Sequence, residues 1–350
     1  MPGLIQKLQL SSCRSLLRPA ARAAFLLAIA LASAVPVPAG RSPAMNGDEL
    51  RRMFEAGEYR QVQAASEAAL AATPRDPSLH YWLARSSYEL GIYDDAVRAA
   101  EEACRLAPQK SDFQMWLGRA YGRKAEIESS FFLARKTRHA FETAVKLDPA
   151  NIEARRNLEE YYAEAPWFLG GGKEKARQQA QAVAALDPLE GSLALADFYR
   201  NTDQLEEAQK QYEQLLAKHP EKIHFYLEAL DFFASRRDAL NMARVLGEAH
   251  SAFPHDPRLL FYRAVSRVIG GLQLDQAETE LTQFLAEYPG NSDSVSRGEG
   301  LDWLGRVYET EEKWAPAVEQ YRQALQLEPY RKRFRKSLER AEKELRKKAA

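Results

Sequence analysis

Cysteine is almost missing from this chain: two residues in 350, Cys13 and Cys104. With Cys13 in an N-terminal leader, removal of that leader leaves no intramolecular disulfide, so the fold is not a stapled one. No N-x-[ST] sequon occurs. The six histidines, His80, His139, His219, His224, His250 and His255, never fall at i, i+4 with a glutamate between, and no cysteine cluster joins them. A zinc site is therefore not indicated. There is no G-x-S-x-G elbow. The one glycine run, Gly170-Gly171-Gly172-Lys173, fails as a nucleotide loop. The glycine that such a loop needs five places before Gly172 is Trp167, the hydroxyl residue after the lysine is Glu174, and no strand precedes. The softer reading is that free N–H groups of a helix starting near Lys173 hold a phosphate or carboxylate. Carboxylates are plentiful, but on helix faces they read as solvated surface. The sequence thus indicates no enzyme, no cofactor and no metal.

Net charge is also absent, at 49 basic against 49 acidic side chains, but the balance is uneven. Residues 1–34 hold Lys7, Arg14, Arg18 and Arg22 and no acid, and residues 330–350 hold ten basic and three acidic side chains. The body between them, 35–329, has 35 basic and 46 acidic side chains, so an acidic body ends in a basic tail. The 13 residues Ala23 to Val35, AAFLLAIALASAV, form an apolar run too short for a comfortable membrane span. With the basic residues before it and Ala32-Ser33-Ala34 at its end, residues 1–34 read as a signal peptide, followed by a linker over 35–45. This predicts an exported chain, periplasmic or secreted; the alternative is a cytoplasmic chain that starts at Met45.

What is abundant is repetition. Eight prolines, at 74, 108, 149, 188, 220, 254, 289 and 329, each close a helical pattern, with spacings of 34, 41, 39, 32, 34, 35 and 40. Before Pro108 one apolar-periodic segment ends at Gly91, which supplies a positive φ, and a second opens at Asp94-Asp95 and places Ala96, Ala100 and Ala103 on one face. Small residues there let two helices approach closely. Leu304, Gly305, Tyr308, Trp314, Ala317, Tyr321, Ala324 and Pro329 carry the same pattern, as do Leu117, Gly118, Tyr121, Phe141, Ala144 and Pro149.

These residues resemble the tetratricopeptide repeat (TPR) family, and the resemblance covers eight helical pairs over 46–329, in the manner of exported bacterial-type TPR scaffold proteins. It implies an all-α, right-handed α-solenoid of about eight helix-turn-helix repeats, in which stacking buries what one pair cannot. Trp82, Trp116, Trp303 and Trp314 are then core by default. Residues 330–350 carry Phe334, Leu338, Ala341 and Leu345 on one stripe of an otherwise charged helix. That predicts a basic amphipathic capping helix; the alternative is a tether to a membrane surface or nucleic acid.

Three repeats exceed 34 residues by five or more. The third gains seven residues, predicting two longer helices with Phe131, Phe132 and Leu133 near their tip. The fourth gains five in APWFLGGGKEKA, residues 165 to 176, predicting a widened turn between a helix that ends near Ala163 and one that starts near Lys173. Trp167 and Phe168 are expected to pin that turn on a neighbouring repeat. The eighth gains six in GNSDSVSRGEG, a loop.

The resemblance further implies a concave groove lined by the first helix of each repeat, its exposed positions being Tyr81, Arg85, Tyr88, Met115, Arg119 and Arg156 toward the N-terminus. Leu193, Asp197, Arg200, Leu227 and Asp231 occupy the middle, and Phe261, Val265 and Val268 the seventh repeat. The chaperone-type carboxylate clamp is not matched: Met115 and Arg119, and later Glu190 and Ala194, stand where its cations and asparagine belong. The implied function is a non-catalytic scaffold or adaptor that binds another protein or peptide segment, an acidic one if Arg85, Arg119 and Arg156 receive it. Candidate partner contacts are Tyr81, Arg85, Arg119, Arg156, Trp167, Phe168 and Lys173. A small-molecule substrate and nucleic acid are not expected. An accessory role in an export or polysaccharide machinery is the remaining alternative.

Overall fold

The computed structural model describes residues 47–290 and 295–349; the predicted leader and linker lie outside them. Seventeen helices follow one another, and no strand occurs among the described residues. They are α1 (Gly47–Glu55), α2 (Tyr59–Ala72), α3 (Pro77–Glu89), α4 (Tyr93–Leu106), α5 (Ser111–Glu128), α6 (Phe131–Leu147), α7 (Ile152–Glu164) and α8 (Lys173–Leu186), then α9 (Pro188–Asn201), α10 (Leu205–Leu216), α11 (Ile223–Ser235), α12 (Ala239–Ala252), α13 (Arg258–Gly270), α14 (Leu274–Glu287), α15 (Arg297–Thr310), α16 (Trp314–Leu327) and α17 (Lys332–Ala349). Odd-numbered helices up to α15 are the first, or A, helices of a pair; even-numbered ones are the B helices. Each helix packs on its chain neighbours, and most successive A helices touch along one face, which gives an all-α solenoid.

Local chemistry sets the ends. Asp76 accepts from the Ser78 N–H at 2.8 Å and caps α3, with Pro77 at its first position, and Asp187 with Pro188 does the same for α9. Every A–B turn holds a residue in the left-handed region, Gly91 at φ 75° among them, as its place after the α3 pattern predicts. The longer helices expected in the third repeat are α5, 18 residues, and α6, 17, against 12 to 14 for most others. Four residues of the expected loop in the eighth repeat, 291–294, lie outside the described residues. No helix is long and apolar enough to cross a membrane among the residues described.

The last helix caps the array. Phe334 and Ala341 of α17 are fully buried, and Leu338 and Leu345 pack with Ala317, Val318 and Tyr321 of α16. Its cations meet the acidic body. Arg340 donates twice to Glu309 on α15, at 2.6 and 2.8 Å; Lys348 reaches Glu312, and Arg333 reaches Glu299 and Asp302. The acidic body and basic tail of the sequence are thus partly complementary within one molecule.

The array also closes on itself. The Tyr93 hydroxyl, at the start of α4, meets the Tyr330 hydroxyl just before α17 at 2.8 Å, with the rings edge to face, and the Arg123 guanidinium lies 5.5 Å from the Tyr330 ring centre. One repeat earlier at each end, Tyr59 donates to the Gly290 carbonyl at 3.2 Å and Gly57 packs against Pro289. The solenoid therefore completes about one turn, and its first two A–B turns rest on its last two repeats. Tyr330→Ala removes the hydroxyl pair, the ring contact and the arginine contact together. Small-angle scattering of this variant should show a larger radius of gyration at unchanged helix content. An unchanged profile would mean that the tyrosine pair does not hold the ends.

Candidate protein-binding groove

The three arginines that the groove pattern singles out have three different environments. Arg85 on α3 lies in an aromatic cage. Its guanidinium carbon is 4.1 Å from the Phe54 ring centre, 4.7 Å from Trp116 and 4.8 Å from Trp82, and its Nη1 donates to the Tyr81 hydroxyl at 3.3 Å. Tyr81 itself stacks on Phe113 at 4.8 Å. Among the described residues no carboxylate pairs with Arg85, so the rings hold the cation without neutralising it. Arg119 on α5 also lies 4.7 Å from the Trp116 ring centre, but its Nη2 meets Glu153 at 3.0 Å and its Nε donates to Asn157. Arg156 on α7 is committed to acids: Asp197 at 2.9 Å, Glu228 at 3.7 Å and Glu190 at 3.8 Å.

The middle of the groove is an acid network. Asp197 on α9 accepts from Arg156, from Arg200 at 3.1 Å and from the Tyr212 hydroxyl at 3.0 Å. Glu228 on α11 faces Arg156 and Arg200, each at 3.7 Å, and Asp231 accepts from the Tyr262 hydroxyl at 3.0 Å. Burial, with the Asp197 carboxylate beside it, pushes Glu228 up to about 7, and burial likewise raises Asp231. Glu159 on α7 is 2% exposed, its Oε1 has no hydrogen-bond partner among the described residues, and burial holds it well above the carboxylate range. Its position explains it: Leu158-Glu159 and Tyr162 repeat Leu117-Gly118 and Tyr121, so the glutamate stands where the previous repeat has a glycine.

The apolar groove positions are not available surface. Met115, Leu193, Leu227, Phe261 and Val265 are all buried, which corrects the expectation of an open apolar seventh repeat. The pairing and stacking of helices cover these positions: Phe261 lies 5.4 Å from the Phe284 ring of its own B helix, and Met115 clusters with Ala144, Ala154 and the Tyr81 and Tyr88 side chains of the preceding repeat. Trp82 and Trp116 are core as expected; Trp303 and Trp314 are half-buried.

The 165–176 segment forms the widened turn. A 3-10 turn over Trp167–Leu169 follows α7, and α8 starts at Lys173. Gly170 has φ 93°, and a Cβ there would collide with Arg138; at Gly171 a Cβ would lie 1.7 Å from the Ala165 carbonyl oxygen. The glycine N–H groups are used internally: Gly170 donates to Trp167, Gly171 to Pro166 and Gly172 to Tyr162. The Lys173 ammonium reaches the Thr202 carbonyl at 3.3 Å. The residue that pins the turn is Leu169, 1% exposed, and not Trp167, which is 85% exposed. Phe168 lies against Phe131, ring centres 5.6 Å apart, at the start of α6. The two insertions thus meet. Sequence spacing did not reveal this, because both additions are at A–B turns and only stacking brings those turns to one edge.

Glu228 gives the network a testable pH signature. Its folded pKa, about 7, lies above the ordinary 4.5, so the fold favours the protonated form. The stability that it contributes is complete below about 4.5 and is lost as pH rises through about 7. Glu228→Gln, which keeps the neutral shape, should melt with wild type at low pH and above it at pH values beyond about 7. A thermal-melt difference that does not grow with pH would remove this account. Among the described residues no cluster of three or more metal-ligating side chains occurs.

The family model of the tetratricopeptide repeat matches residues 77–110, the α3–α4 pair with its following turn, and a second tetratricopeptide model matches 190–222, which covers most of α9 and all of α10. No curated protein matches the chain in sequence. Among solved structures, a chain of the APC/C hetero-tetramer Cut9-Hcn1 is similar over 84% of this chain at 14% identity and a TM-score of 0.47, and this chain spans 54% of it. A tetratricopeptide repeat protein from Parabacteroides merdae is similar over 84% of this chain and 96% of its own length, at 13% identity and a TM-score of 0.43. Proteins of this kind are in general non-catalytic scaffolds that bind other proteins or peptides. Two pairs of the array, α3–α4 and α9–α10, thus match the tetratricopeptide repeat.

Proposed function

We propose that the chain is an exported scaffold whose concave groove receives one segment of a partner protein, with an acidic side chain of that segment paired to Arg85. The observation that carries this reading is the state of Arg85. A guanidinium held by four aromatic rings is pre-oriented and desolvated on its faces, yet keeps its charge for a bidentate carboxylate. Arg119 and Arg156 already have carboxylates and contribute less. A cleft of about 510 Å³ beside Tyr81 and Trp82, which also reaches Lys110 and Asp112, offers room next to the cage.

The basic C-terminal helix supports this reading over a tether through residues 330–350. Its apolar stripe is spent on α16, and Arg333, Arg340 and Lys348 are ion-paired to the body. Export rests on the leader pattern of residues 1–34, and cleavage near Ala34 would be read by N-terminal sequencing of the secreted chain.

Affinity capture compares wild type with Arg85→Ala, followed by titration of the captured partner against salt. Loss of an anchoring arginine should weaken binding by at least about tenfold and flatten its salt dependence. Unchanged affinity with unchanged salt dependence would remove Arg85 from the contact.

A further inference from the structure

The edge where the two insertions meet presents an aromatic tip that no groove function uses. Trp167 is 85% exposed, Phe132 67%, Phe168 46% and Phe131 44%. Phe131, Phe168 and Trp167 form a continuous edge-to-face series, with ring centres 5.6 and 6.0 Å apart. Exposure here is enforced from beneath. The Leu169 carbonyl accepts from Arg138 Nη1 at 3.0 Å and from the Tyr161 hydroxyl at 3.1 Å, and Leu169 itself is buried. On the other side, Ser129 in the left-handed region and the Ser130 cap fix the start of α6. The rings are therefore held outward by an ordered platform.

Cations surround them. Residues 129–139 contain Arg135, Lys136 and Arg138 and no acid; residues 165–178 contain Lys173, Lys175 and Arg177 against Glu174 alone. Lys175 Nζ reaches the Gly170 carbonyl at 3.1 Å at the tip's rim; Lys136 Nζ lies 5.3 Å from the Phe132 ring centre but is paired with Glu101 at 3.4 Å. Arg135, Lys173 and Lys175 are exposed.

We propose that this tip docks on an anionic lipid surface, with Trp167 and Phe132 entering the interfacial region and the rim cations facing lipid phosphates. Three features select lipid over a protein occupant. The four rings expose on the order of 500 Å² between them, below the ~800 Å² per partner of a stable protein interface. Trp167 and Phe132 stand most exposed of the four rings, so a protein partner would need pockets to match them, whereas a bilayer interface deforms around them. Its composition, Trp and Phe ringed by Lys and Arg, is the one that partitions into a charged membrane interface and lets the long cations reach upward. This surface lies apart from the groove, and its docking leaves a partner segment there untouched.

The test uses the full chain with vesicles of phosphatidylcholine alone and of phosphatidylcholine mixed with phosphatidylglycerol. Wild type should co-sediment about tenfold or more tightly with the mixed vesicles. Trp167→Ser with Phe132→Ser should abolish that preference while the melting temperature stays within a degree or so of wild type, as expected for exposed positions. Wild type and variants carry the same leader and the same α17, so the difference reports the tip. Quenching of tryptophan fluorescence by bromolipids supplies a second readout. Of the five tryptophans Trp167 is the most exposed, and Trp167→Phe should remove most of the quenching. Equal vesicle binding by the double variant, or quenching that survives Trp167→Phe, would overturn the proposal. So would loss of binding on Lys343→Glu with Lys347→Glu in α17 while the tip variant still binds, or capture of a protein through the tip with no vesicle binding.

Discussion

The close approach of the two helices within a repeat is the contact on which the rest of this molecule depends. At Gly118 an added Cβ would lie 2.4 Å from the Phe141 ring, and at Gly305 it would lie 2.6 Å from the Tyr321 ring. The aromatic of the B helix therefore fills the space that a side chain on the A helix would take, at the same register in the third and eighth repeats. A pair locked in this way still has an apolar face it cannot cover alone, and the next pair must cover it. Stacking then turns every A helix toward one concave face, which is why side chains as far apart in sequence as Arg156, Asp197 and Glu228 meet. The fourth repeat departs from the lock: Glu159 replaces the glycine, and its B helix answers with Ala180 and Val183, fully buried, where the neighbouring repeat has Phe141 and Ala144. The orphaned carboxyl there is a consequence of that exchange.

The repeat period, the helix ends and the cap were legible because each is a local statement. A proline stops a helix, a glycine takes a positive φ, and a stripe of small residues marks a face; α8 begins at the predicted Lys173, and α17 buries the predicted Phe334. The candidate site was legible only as a set of positions. Which arginine stays uncompensated depends on neighbours one and two repeats away: Glu153 takes Arg119, Asp197 takes Arg156, and only aromatic rings take Arg85. None of this follows from a pattern that repeats every 34 residues, because the pattern is blind to what the next repeat carries. The burial of Met115, among side chains of the preceding and following repeats, has the same origin.

The same blindness explains Trp167. A bulky aromatic in an irregular segment is expected to anchor it, since exposure of an indole is unfavourable. Here the smaller Leu169 does the anchoring, because the 3-10 turn points it inward and two hydrogen bonds hold its carbonyl. The three glycines likewise separate into different needs once their surroundings are known. Gly170 requires the left-handed backbone and space for Arg138, Gly171 requires space for a carbonyl, and Gly172 is extended with nothing near its missing Cβ.

Closure of the solenoid links these parts. The A–B turns of the first two repeats rest on the last two, through Tyr59 with Gly290 and Tyr93 with Tyr330. Any insertion in those turns would push against the seam and open it. The A–B turns of the third and fourth repeats lie past the seam, and those are the ones that lengthened, in α5–α6 and in the 165–176 turn. An added turn of helix and an added loop stand outside the described seam contacts, and the two meet because their repeats are adjacent. The geometry of one superhelical turn thus divides the A–B edge into a closed sector that holds the molecule together and an open sector free to carry new surface.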